Sequence, residues 1–147
     1  MHRGAHGFTL VETLVVLLLM GILAAVALPR LAGRNALAER GFQDELQAML
    51  RHARSLAVAR QHDVCVLLDA SQARMVYAPG AQCNAALPAV EPGSNTPFVV
   101  AVPSGVTLAG VAQVRFNPQG QPVPNANQVV TVGARALTIS RETGVVF

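Results

Sequence analysis

Apolar residues follow three different periods along this chain of 147 residues. From Phe8 to Leu28 they are almost continuous, and Glu12 is the one charged side chain among them. As a helix this stretch would measure about 30 Å, enough for one bilayer crossing. Beyond Pro29 the apolar positions thin to every third and fourth residue. Phe42, Leu46, Met49, Leu50, Ala53, Leu56 and Ala57 then form one stripe, which predicts an amphipathic helix to about Arg60. Pro29 lacks an amide hydrogen and is expected to kink or break the helical run. From Val64 the period becomes two. Val64–Leu68 reads as a strand, Asp69–Gln72 as a turn and Arg74–Ala78 as the returning strand.

Residues 79–97 are rich in Pro, Gly, Ala and Asn and read as a long surface loop. Short strands are expected near 98–102, 114–116, 129–132 and 137–140, with a closing strand Val145–Phe147. Asn117–Gly120 and Arg141–Gly144 are turn signals. The expected fold is α+β: a long N-terminal helix, half membrane-spanning and half amphipathic, packed on a small antiparallel sheet domain. Its order is a polar leader (1–7), a hydrophobic helix (8–28), an amphipathic helix (29–60) and a β-rich domain (61–147).

A carboxylate at the centre of a bilayer costs roughly 2.5–3.5 kcal/mol, so Glu12 needs a reason to be there. It lies four residues from Phe8, hence on the same helix face. A secretory signal offers a rival account, because Ala25-Val26-Ala27 is an A-x-A site that would leave Leu28 as the new N-terminus. Against it, the apolar core exceeds the usual ~7–15 residues and contains Glu12.

Composition narrows the function classes. Charged residues are 13% and aromatic residues 4%, with no tryptophan and a single tyrosine, Tyr77. That leaves little from which to build a stacking platform for single-stranded nucleic acid. The net charge of +3 comes from eleven arginines and no lysine, too small an excess to argue for nucleic acid by itself. Cys65 and Cys83 could be joined by a disulfide closing a loop of roughly 17 residues, adding about 3 kcal/mol in the chain-entropy model. The alternative is two unpaired thiols, with Cys65 buried as a small hydrophobe. Neither a metal site nor a catalytic constellation is visible, and His52 and His62 read as surface residues. No enzyme activity and no cofactor are therefore expected.

The run Gly7-Phe8-Thr9-Leu10-Val11-Glu12, followed by an apolar helix ending Ala27-Leu28-Pro29, resembles the N-terminus of type IV prepilins and type II secretion pseudopilins. The resemblance implies cleavage by a prepilin peptidase between Gly7 and Phe8, and methylation of Phe8. It implies that Glu12 neutralises the new ammonium, in its own chain or a neighbour's, as subunits leave the inner membrane for a filament. Pro29 matches the family's helix-loosening proline. Arg3 flanks one end of the apolar run and Arg30 and Arg34 the other, so charge alone does not orient it. The peptidase's cytoplasmic action implies an N-terminus in the cytoplasm and a periplasmic C-terminal domain, where a disulfide would persist.

The run Leu50-Arg51-His52-Ala53-Arg54-Ser55-Leu56-Ala57, the turn Phe116–Gly120 and a closing strand after Thr143-Gly144 are similar to H-type pseudopilins and FimT-like minor pilins. The Thr143–Val146 ending also resembles minor pilins of the mannose-sensitive haemagglutinin pilus. Implied partners are other pilins or pseudopilins, met through the N-terminal helix, and the peptidase. The implied role is filament initiation, assembly or cargo contact. FimT-like proteins suggest DNA binding as an alternative, with Arg115, Arg135 and Arg141 as weak candidate contacts. Here Glu142 opposes Arg141, and valines stand where a basic side chain would be wanted.

Overall fold

The structure, a computed structural model, describes residues 9–83 and 87–147; the side chains of residues 26–34 and 81 lie outside that description. The chain divides into two compact units, Met1–Ala36 and Leu37–Phe147. One helix, α1 (Leu10–Arg60), supplies residues to both. Its backbone runs through Pro29, so the proline does not end the helix. A single lost amide bond perturbs a helix that has many residues on either side, but does not terminate it. A kink at Pro29 would fall among residues 26–34.

In the first unit the side chains from Leu10 to Ala25 are exposed, including Leu10, Leu17 and Leu23. Among the described residues no helix is long and apolar enough to cross a membrane, and the expected span, residues 8–28, lies partly outside them.

In the second unit α1 packs its apolar stripe into a two-sheet domain. Phe42, Leu46, Met49, Leu50, Ala53 and Ala57 are buried, while Leu56 packs against them at the margin. The first sheet has five antiparallel strands. Its centre is β1 (Val64–Leu68), flanked by β2 (Gln72–Tyr77) and by a strand over Gln113–Phe116. Beyond β2 lies β3 (Val99–Ala101). The second sheet opens with β4 (Leu108–Gly110). Gln113–Phe116 is thus β5, and the first sheet ends at β6 (Pro122–Val123), giving the order β3-β2-β1-β5-β6. The second sheet is completed by β7 (Gln128–Val132) and β8 (Arg135–Ile139), in the order β4-β7-β8.

Both sheets feed one core. Val64, Val66, Met75, Val114 and Phe116 come from the first, and Val130, Val132, Leu137 and Ile139 from the second. The strand β1 is buried on both faces, as its unbroken run of apolar residues requires. Cys65 points away from the main core into a smaller cluster with Val76 and Ala78, against which Leu67 and Cys83 pack.

Three expectations need correction. The long loop is not structureless. It opens with a 3-10 turn, Pro79–Ala81, and later folds into a narrow irregular hairpin. Bridges join Val76 to Pro88 and Val90 to Pro97, and the Phe98 amide donates to the Ala89 carbonyl at 2.8 Å. Prolines at 88 and 97 lack amides, which keeps the pairing to isolated bridges. The closing strand is reduced to a bridge between Ile139 and Val146, with Thr138 and Phe147 exchanging two backbone bonds of 2.8 and 3.1 Å. Strands β4 and β6 have no counterpart in the sequence reading.

Two turn tips meet on the helix. Gly120 and Gly144 both have positive φ, 77° and 66°. A Cβ on Gly144 would collide with the Gly120 carbonyl, which also accepts a hydrogen bond from Arg54 Nε at 3.3 Å. Gln47 Nε2 and an Arg51 guanidinium nitrogen both donate to the Val146 carbonyl at 3.4 Å. At the other end, Glu39 accepts the Ala134 amide at 3.1 Å, holding the β7–β8 turn.

The β1–β2 turn is organised by Asp69. Its carboxylate accepts from the Ser71 hydroxyl (2.7 Å), the Ser71 amide (2.9 Å), the Gln72 amide (2.9 Å) and Arg74 (3.3 Å). These bonds, the Ser71 hydroxyl first, hold the Asp69 pKa well below the ordinary carboxylate range. A depressed folded pKa stabilises the fold above the unfolded value, near 3.9, and that contribution fades as pH falls toward the folded value. An Asp69→Asn chain should therefore lose less stability than wild type between pH 5 and 3, as read by urea midpoints. Glycine substitutions separate the turn tips from open helix surface. Gly144→Ala should cost at least about 2 kcal/mol, through its left-handed backbone and the blocked contact. Gly41→Ala, on an open helix face, should gain about 0.5–1 kcal/mol in the same urea titration.

Candidate functional site

The singular chemistry lies at the start of α1. Gly7 and Phe8 fall outside the described residues, and the structure takes up the motif at Thr9. Thr9 is the N-cap: its hydroxyl accepts the Glu12 amide at 3.2 Å, and its carbonyl accepts the Thr13 amide at 3.1 Å. Thr9-Leu10-Val11-Glu12 has the spacing of a capping box, with an acidic residue in the positive first turn. This role was open to sequence reading, since S/T-x-x-E before an apolar run is a helix-start signal.

Glu12 is exposed on an apolar helix surface, and no ion pair involves it among the described residues. Leu10 and Val11 beside it are 79% and 70% exposed, so the carboxylate sits on a surface that has more to gain from contact than from water. Glu12 is thus an acidic side chain in the first turn of an exposed apolar helix surface.

The other candidates lie in the second unit. Cys65 and Cys83 form a disulfide, with Cα atoms 5.7 Å apart. It ties the segment after the 3-10 turn to the outer face of β1. The three arginines are not brought together. Arg115 lies on β5 in the first sheet, mostly buried, and pairs with Asp63 at 3.6 Å. Arg135 opens β8 in the second sheet and is exposed. Arg141 lies in the turn two residues beyond the end of that strand. Its guanidinium pairs with Glu142 at 3.6 Å, and its amide donates to Asn127. His52 is half-buried, its ring 6.1 Å from that of Phe98. Among the described residues no cluster of His, Cys, Asp and Glu could hold a metal ion.

Glu39, Gln47, Arg51 and Arg54 were not singled out by the sequence. They are ordinary polar positions on an amphipathic helix, and their partners lie 66 to 99 residues away.

A long helix with an apolar, acid-bearing start and a C-terminal half buried in antiparallel sheets defines a pilin-like protein. Residues 2–28 match the prokaryotic N-terminal methylation motif, and residues 43–144 match the type II transport protein GspH. The chain belongs to the GspH family and is a minor pseudopilin or minor pilin subunit. Its fold is similar to the type IV minor pilin FimU of Pseudomonas aeruginosa, in two crystal forms. For one the TM-score is 0.57 at 17% identity, covering 74% of this chain and 85% of that one. For the other it is 0.52 at 18% identity, covering 69% and 86%. No curated protein matches the sequence.

The disulfide can be checked by alkylation. Native protein should present no reactive thiol until reduced, and Cys65→Ser should present one, at Cys83. Its loss should lower stability by about 3 kcal/mol. Two reactive thiols in unreduced wild type would contradict the bridge.

Proposed function

We propose that this subunit is made as a prepilin and processed between Gly7 and Phe8, with methylation of the new N-terminal Phe8. The leader is residues 1–7. Residues 8–28 hold the precursor in the inner membrane as a single pass, with the β-rich domain in the periplasm. Pro29 loosens the helix where the hydrophobic part meets the amphipathic part, residues 29–60. The subunit then joins a type II secretion or type IV pilus filament, where it acts in initiation, assembly or cargo contact.

The observation that carries this reading is Glu12, an exposed carboxylate in the Thr9-capped first turn of an apolar helix, within residues that match the methylation motif. An uncompensated carboxylate opposes burial among neighbouring helices, because a desolvated charge needs a partner. The ammonium created at Phe8 is such a partner. It lies four residues away in the same chain, or at the matching place on a neighbour. Pairing the two removes the cost of burying either one alone, and apolar contact between helices supplies the attraction. The reading requires no cofactor and no catalytic step by this chain; the processing enzyme acts on it.

Intact mass and N-terminal peptide mapping of protein extracted from membranes should give a chain beginning at N-methylated Phe8. A chain beginning at Leu28 would mean a signal peptide instead. Glu12→Val should leave processing and membrane insertion intact and reduce recovery in sheared filaments at least tenfold. Wild-type recovery of that variant would defeat the charge-pairing mechanism.

A further inference from the structure

We infer that the open edge of β3, with the groove between it and α1, is a docking site for an extended, basic segment of another polypeptide chain. This surface lies far along the sequence from the N-terminal motif. β3 ends the five-stranded sheet, and among the described residues its outer side has no neighbouring strand. Its register with β2 fixes which groups face outward. Val102 donates to the Ser71 carbonyl and Met75 donates to the Phe98 carbonyl, so hydrogen-bonded pairs fall at 71 with 102, 73 with 100 and 75 with 98. In an antiparallel ladder such pairs alternate with pairs that do not bond. The amides and carbonyls of Val99 and Ala101 therefore point to the open edge. Among the described residues no backbone bond satisfies them.

Beside this edge lies a groove of about 450 Å³, lined by Glu45 and Ala48 of α1, by Glu91, and by Phe98 to Ala101. Glu45 and Glu91 are both exposed, and neither has an ion-pair partner among the described residues. On the opposite face of the strand Val99 is 47% exposed.

An added strand would thus find backbone partners at Val99 and Ala101. Its side chains would alternate between an acidic groove on one face and a valine on the other. This is strand addition to a sheet edge, in which main-chain bonds hold the segment and alternate side chains select it. The chemistry selected is alternating basic and apolar residues, with arginine or lysine toward Glu45 and Glu91. β3 is short, at three residues, but within it the edge carries no proline, no lysine and no inward charge.

The test uses the full chain in detergent micelles and the capped peptide Val-Arg-Val-Arg-Val, with Val-Glu-Val-Glu-Val as its counterpart. The arginine peptide should slow amide exchange at Val99 and Ala101 at least tenfold, and the glutamate peptide should not. The double variant Glu45→Lys, Glu91→Lys should weaken binding at least tenfold. Val99→Pro should abolish it while leaving the thermal midpoint nearly unchanged, because the lost amide faces outward. Equal binding of both peptides, or saturation by the arginine peptide without protection at Val99 and Ala101, would overturn the site. So would failure of that peptide to bind at millimolar concentration. Protection that rises with protein concentration alone would assign the edge to a second copy and overturn the partner named here. These readouts concern this face only, so they stand or fall apart from N-terminal processing.

Discussion

Burial of one helix face holds the β domain together. The stripe from Phe42 to Ala57 lies in a core to which both sheets contribute, and neither sheet is large enough to form a sufficient core alone. One consequence is that α1 cannot be optimised for its N-terminal part without regard to the other. The same continuous helix must present apolar residues on every side between Leu10 and Ala25, then on a single stripe after Leu37. The sequence makes that change between Ala25 and Leu37, and the boundary between the two compact units falls at the end of that interval, between Ala36 and Leu37. A second consequence concerns the helix's polar face, which also carries structure: Glu39, Gln47, Arg51 and Arg54 tie down a hairpin turn, a turn tip and the last strand-like residues.

Much of this architecture was legible from residue order. The stripe marked the helix to its end at Arg60, and period-two patterning located β1, β2, β3, β5, β7 and β8 to within a few residues. The turns at Asn117–Gly120 and Arg141–Gly144 were visible because Asn, Pro and Gly bring specific backbone conformations with them. Tertiary acts of small elements were not visible. β4 and β6 exist because neighbours pair with them. The hairpin within residues 87–98 is recruited by the edge of β2 despite its prolines. The two cysteines could be named as a possible bridge but two thiols stayed open, because only the fold sets the distance between their backbones.

The same division holds for the candidate site. Gly7 to Glu12 is a contiguous motif, so its chemistry could be read in one dimension. The arginines near the C-terminal strands could be named but not placed. In space Arg115 is committed to Asp63 in one sheet, while Arg135 and Arg141 stand at opposite ends of a strand in the other. The arginines that do organise the domain, Arg51 and Arg54, sat within a recognised helical run, but their partners are carbonyl groups, which carry no sequence signature.

Those long-range bonds also set the order in which the fold can be completed. Gln47 and Arg51 meet Val146 across 99 and 95 residues, and Glu39 meets Ala134 across 95. Contacts so distant along the chain give a high contact order, and loop closure must precede any return from them. A polypeptide delivered N-terminus first would have its helix ready early, with an apolar stripe and nothing to cover it. The second sheet becomes available only when residues 128–147 arrive. Until then the stripe is an exposed adhesive surface, and the domain has its greatest need of a holding factor at the moment its helix is already formed.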